Sequence, residues 1–302
     1  MSFEIRVPAS SANLGPGFDS LAVALALYLR VVVDPGGTRS ARDAGTDLFG
    51  GEDLIAIGMR RAAEHLGVPL GDYGLETDAQ IPVARGLGSS AAAIVAGLQA
   101  GALLAGGREL SVRELIDVGG AVEGHADNIA AAVLGGITAA IETDTGFVAA
   151  QIAAELPWRP LLFVPASAAF THVARSVLPR RVTLRDASAN VGRTALLVKA
   201  LRDGDAELVR WAMDDRLHQP YRAQLFPHLL PIIERAGELG AVGGCLSGAG
   251  PTVLLLVPDE QLAAVSAAIE ALASELDVPG DVRTPELDRE GVVVQNLSEA
   301  PA

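Results

Sequence analysis

Apolar and polar positions along the chain change period, and the changes mark its elements. "FEIRVPA", from Phe3 to Ala9, alternates and predicts a strand that Pro8 ends. "LAVALALYLRVVVD", Leu21 to Asp34, is rich in Val and Leu and predicts one bent strand or two, with a polar turn region after it, "DPGGTRSARDAGTD". "GEDLIAIGMRRAAEHLG" carries apolar residues at helical spacing and a closing glycine, so a helix is expected. "YGLETDAQIPV" reads as a strand, and Gly88 to Leu104 as an apolar helix. "SVRELIDVGGAVEGHA" predicts a helix in which Ser111 and Glu114 form a capping box. "VLGGITAAIETDTGFVAAQI" predicts a hairpin around Thr145-Gly146.

The second half opens near Trp158 with a short buried strand, "PLLFVPA". Helices are expected at 184–202, 205–214 and 225–239. "AVGGCLSGAGPTVLLLVPD" reads as strand, glycine turn and strand, "EQLAAVSAAIEALASEL" as a helix and "GVVVQN" as a last strand. Strands and helices mix without regular alternation. The expected class is therefore α+β, with two subdomains, 1–155 and 156–302, and a cleft between them.

Composition narrows the function classes. Half of the 302 residues are apolar, enough for a sizeable core and against a disordered chain. No uninterrupted apolar run of about 18 residues is read, and no secretory leader, so a cytoplasmic protein without a membrane partner is expected. The single cysteine, Cys245, excludes a disulfide within the chain and is expected to be a small packed residue. Twenty-three basic against 37 acidic residues leave a net charge of −14, which argues against nucleic acid as a partner.

"PVARGLGSSAA", Pro82 to Ala92, runs a glycine loop into the start of a helix. The first N–H groups of a helix lack internal partners and its dipole is positive there, so the stretch suits a polyphosphate. No lysine lies in it; the chain's one lysine is Lys199. The loop is therefore not of the G-x-x-x-x-G-K-[ST] type, and backbone, hydroxyls, a magnesium ion or an arginine must meet the charge. A tight turn with a serine cap explains this stretch equally well by itself. "VPASSANLGPGFDSLAVAL", from Val7, and "GCLSGAGPTVLLL", from Gly244, are two further stretches of small and polar residues in apolar surroundings.

Together and in this order, the three stretches resemble the three motifs of the GHMP kinases. "VPASSANLGPGFDSL", "EGHADNIAAAVLGG", "THVARSVLP" and "DDRLHQPYR" resemble the homoserine kinase branch of that family in particular. The resemblance implies a ribosomal-protein-like first half and a ferredoxin-like second half, with the active site in the cleft. It implies ATP and Mg2+, L-homoserine as the phosphoryl acceptor, and a homodimer. Kinases of other small alcohols, such as L-threonine or shikimate, and an ATP-binding regulator without catalysis are the alternatives.

Site residues follow from the same resemblance. Pro82, Val83, Ala84, Arg85, Gly86, Leu87, Gly88, Ser89, Ser90, Ala91 and Ala92 form the nucleotide loop, with Ser90 and Glu123 on the metal. His125, Asp127 and Asn128 fall at the acceptor pocket. Asp19 and Asp127 are expected to meet an ammonium, Asn13, Asn128 and His125 to orient a hydroxyl, and Arg175 and Arg222 to hold a carboxylate. Arg222 is alternatively expected at the γ-phosphate. Ser247, Gly248, Ala249 and Gly250 support the loop, with Gly248 at the substrate. Asn128 stands where sister kinases carry a catalytic aspartate, so direct transfer is expected, with Asp127 as base the runner-up. His65, His172, His218 and His228 are assigned no chemistry. Asp53-Leu54 departs from the family's Asn-Leu in the adenine-lining segment.

Overall fold

The computed structural model describes residues 2–37 and 53–297. Most of the polar turn region expected after Asp34 lies outside these residues. The first sheet has six antiparallel strands: β1 (Phe3–Ala12), β2 (Leu21–Pro35), β3 (Tyr73–Ala79), β4 (Ile137–Thr143), β5 (Gly146–Ala153) and β10 (Val293–Asn296). Their order is β10-β1-β2-β4-β5, with β3 beside the far end of β2. Pro8 does not end β1. The strand runs on to Ala12 with a register shift between Pro8 and Ala9, the irregularity that lets a residue without an N–H stay in a ladder. β2 is a single strand of 15 residues.

Four helices accompany this sheet: α1 (Leu54–Leu66), α2 (Ser89–Gly106), α3 (Val112–Glu123) and α4 (Asp127–Leu134). α2 is long and apolar enough to cross a membrane by length and composition, against the expectation that no such run exists. Every residue from Ala91 to Ala102 is buried in this protein, so α2 is a core helix. The capping box at Ser111 is present. The helix it starts stops at Glu123, because Gly124 takes a left-handed φ of 86°, and α4 starts anew at Asp127.

The second sheet is β7 (Gly243–Leu246), β8 (Val253–Val257), β6 (Arg159–Pro165) and β9 (Gly280–Arg283), in that order and antiparallel. α9 (Leu229–Glu238) and α10 (Leu262–Glu275) close one core with Leu161, Phe163, Val253 and Leu255 of this sheet. Leu162, Val164, Cys245 and Leu254 join a larger core that runs through α6 (Leu184–Asp203) and α7 (Ala206–Ala212) into the first sheet. Short α5 (Thr171–Ser176) and α8 (Gln219–Arg222) are the remaining α-helices among the described residues. Burial pushes the Cys245 thiol up to about 12, as befits a packed residue. The last strand, β10, leaves the second half and pairs with β1, Phe3 opposite Asn296.

Candidate active site

A cleft of about 450 Å3 lies where β1, the α2 loop, α5 and α8 converge. At one end the loop turns into α2 through Gly86 and Gly88, with φ of +73° and +68°. Any Cβ on Gly88 would stand 2.0 Å from Ser10 Oγ, so only glycine fits that turn. No side chain caps α2, and the first helical bond runs from Ala92 N to Gly88 O at 2.9 Å. The start of the helix therefore opens into the cleft as an anion site. Ser247 Oγ donates to Gly86 O at 2.6 Å, and Gly248 N to Ala12 O at 3.1 Å, so the third glycine stretch straps the loop from behind.

Of the eleven loop residues expected around a nucleotide, seven line the cleft. Val83, Ala84, Gly86, Leu87, Gly88, Ser89 and Ser90 line the cleft, while Ala91 and Ala92 pack into the core. Pro82 is half-buried outside the lining. Arg85 turns away from the anion site: Nε donates to Pro165 O at 2.9 Å, Nη2 to Ala166 O at 2.5 Å and Nη1 to Val83 O at 3.0 Å. It ties the loop to the end of β6, and the loop meets an anion by backbone and hydroxyls.

Ser90 Oγ donates to Glu123 Oε1 at 2.5 Å. Burial pushes the Glu123 carboxyl up, against the bond from Ser90 and the nearby His125. Two hard oxygens side by side fit part of a magnesium shell, with phosphate oxygens and water left to complete it. Among the described residues no cluster of three or more His, Cys, Asp or Glu makes a self-sufficient metal site.

The other end of the cleft carries the groups expected at the acceptor. His125 Nδ1 lies 2.6 Å from Asp127 Oδ1, which also accepts Asn128 N at 2.7 Å. Burial lowers the His125 pKa, but the bond and charge of Asp127 outweigh it and the net direction is up. Asn128 Oδ1 accepts Ser10 Oγ at 2.8 Å, which leaves the Asn128 amide N–H groups for the cleft. Asn13 has a left-handed φ of 74°; its Nδ2 donates to Gly248 O at 2.9 Å and its Oδ1 accepts Asp19 N at 3.0 Å. Arg175 grips Asp19 in a bidentate pair at 2.9 and 3.1 Å. The residues expected to meet an ammonium and a carboxylate separately are thus paired with each other. Arg222 is almost wholly buried rather than held in a surface ion pair, and burial with the nearby Arg175 charge brings its pKa to about 10.

The residue pattern left out Ser10, which orients Asn128, and Ala168, Ala169 and Phe170, which line the cleft. His218, which was assigned no chemistry, bonds to Arg222. Ser10 has no local signal, since it acts through a neighbour 118 residues away.

Two family models match the chain. Residues 54–136 match the GHMP kinases N terminal domain, and 197–276 match GHMP kinases C terminal. A homoserine kinase of Clostridium botulinum is 37% identical over 294 residues, 97% of this chain and 98% of its own. This chain belongs to the GHMP kinase family, on its homoserine kinase branch. A homoserine kinase of Deinococcus radiodurans is 41% identical over 83% of either chain. The crystal structure of homoserine kinase from Cytophaga hutchinsonii superposes with a TM-score of 0.86 at 26% identity, covering 97% of both chains. GHMP kinases use ATP, and this chain is an ATP-dependent kinase with a small-molecule acceptor.

Proposed function

We propose that this GHMP kinase transfers the γ-phosphoryl group of ATP to the side-chain hydroxyl of L-homoserine, giving O-phospho-L-homoserine. The observation that carries the reading is the Asp19–Arg175 pair in the same cleft as the open start of α2. A zwitterion replaces each partner of that pair: its ammonium meets Asp19 and its carboxylate meets Arg175. An acceptor with one charge leaves the other residue unmatched, which disfavours shikimate and mevalonate. The homoserine kinases similar over nearly the whole chain support the same choice.

Ser90 and Glu123 would hold magnesium against the phosphates. When bound, the ion neutralises charge on the transferring group. The α2 N–H groups and the Ser89 hydroxyl bind the remaining phosphate oxygens. Asn128 donates to the acceptor oxygen and cannot take its proton. Phosphoryl transfer is mostly loose, so alignment and charge stabilisation carry the catalysis and the proton leaves late, to a phosphate oxygen.

The test is an ADP-release assay with MgATP and L-homoserine, L-threonine, shikimate or mevalonate, with Ser90→Ala as control. Turnover with homoserine alone, lost in the variant, is expected. Turnover with another alcohol would overturn the acceptor, and ATP binding without any turnover would leave a regulator.

A further inference from the structure

Behind the acceptor end of the cleft, Asn190, Asp215, His218 and Arg222 are all buried. Such groups are tolerated inside a protein when their hydrogen bonds are made. Asp215 accepts from the backbone N–H of Leu217, His218 and Gln219 at 2.9, 2.8 and 2.7 Å, and from Asn190 Nδ2 at 2.7 Å. One carboxylate thereby fixes the backbone that carries His218 into α8.

The partners of His218 dictate its tautomer. Nε2 lies 2.8 Å from Gly15 O, which can only accept, so Nε2 carries the proton. Nδ1 is then a bare acceptor, 3.2 Å from Arg222 Nη1, which can only donate. Burial pushes the imidazole pKa down against the nearby Asp215 carboxylate, the Arg222 charge adds to the push, and the net direction is down, in keeping with a neutral ring. Phe18 stacks on the imidazole at 5.2 Å and lies under the Arg222 guanidinium at 5.5 Å. Nη1 also donates to Gly248 O at 3.0 Å, and Nε to Ala174 O at 3.2 Å. Three protein acceptors thus hold the guanidinium through Nε and Nη1. Among the described residues Arg222 makes its hydrogen bonds through Nε and Nη1 and none through Nη2, and it lines the cleft.

We propose that His218 is a positioning residue: its unprotonated Nδ1 holds Arg222 so that Nη2 faces the bound acceptor. The proposal rests on the acceptor reading above and adds a residue to it.

Two substitutions divide the functions of the ring. In His218→Asn, Oδ1 stands close to Nδ1 and can accept from Arg222, while the Gly15 bond is lost. In His218→Gln, the amide nitrogen reaches toward Gly15 O, while Arg222 loses its imidazole partner. Steady-state kinetics with varied L-homoserine at saturating MgATP, and thermal unfolding, are measured for both. The glutamine variant is expected to lose about tenfold to a hundredfold in kcat/KM for homoserine, the scale of a misplaced binding group, with KM for ATP unchanged. The asparagine variant is expected to recover most of that loss. The reverse order would assign the role to the Gly15 bond and overturn the proposal. Parallel losses in melting temperature, KM for ATP and KM for homoserine would leave only a structural role and overturn it too. A separate readout does not depend on the acceptor: 15N NMR of the imidazole should show Nε2 protonated and an Nδ1 resonance that moves in Arg222→Lys. An unmoved resonance overturns the proposal even if homoserine turnover is normal, whereas a moved resonance without homoserine turnover overturns the acceptor reading alone.

Discussion

Gly88 leaves no room for a side chain, because its φ of +68° and the Ser10 hydroxyl 2.0 Å from any Cβ exclude one. Gly88→Ala is expected to lose about 1–3 kcal/mol of stability in urea unfolding and to raise KM for ATP sharply. Ser10→Ala frees the Asn128 amide to flip, and kcat should fall about tenfold while KM for ATP holds. Asp127→Asn keeps an oxygen that can accept from Asn128 N and His125. A fall in kcat below about tenfold is expected there, since loss of a general base costs about 10²–10⁴-fold, and a loss of that size would make Asp127 the base. Residue types in the glycine loop and in "EGHADN" were legible from the chain. Their geometry was legible only in part, because it depends on pairs such as Ser10–Asn128 and Asp19–Arg175, 118 and 156 residues apart.

Long elements announce themselves through their period, and α1, α2, α6 and α10 lie close to where the apolar spacing put them. α5 and α8 span six and four residues, too few turns for a period to show. α4 was hidden differently, since Gly124 breaks an apolar run that otherwise reads as one helix. At the start of α9, His228 is buried edge-on to Phe163 at 5.7 Å, and Nε2 donates to Pro251 O at 2.9 Å. Burial pushes its pKa below the ordinary 6.5. The unfolded chain therefore binds the extra proton first, and the stability gained from the neutral ring is full above about pH 6.5 and lost as pH falls through the folded value. Urea unfolding compared at about pH 7.5 and about pH 5.5 should show this drop, reduced in His228→Gln.

Across the whole molecule the cleft exists because two sheets share one core and leave a seam. The α+β class was legible from the irregular mixing of elements, and the acidic balance from the composition. The return of β10 to the first sheet was not, since a lone "GVVVQN" carries no address. Arg85 spans the seam, and Arg85→Ala is expected to raise KM for ATP several-fold without changing the preferred acceptor, as measured by initial rates with each nucleotide and amino acid varied in turn.

That returning strand bears on how the protein is made. β1 is made long before its outer neighbour β10, so one side of β1 waits through synthesis of the residues between them with bare N–H and C=O groups. Contacts spanning such a length of chain also form slowly once it is complete. The half-made chain, rather than the finished kinase, is the species most exposed to edge-to-edge association, and the one with most need of a chaperone.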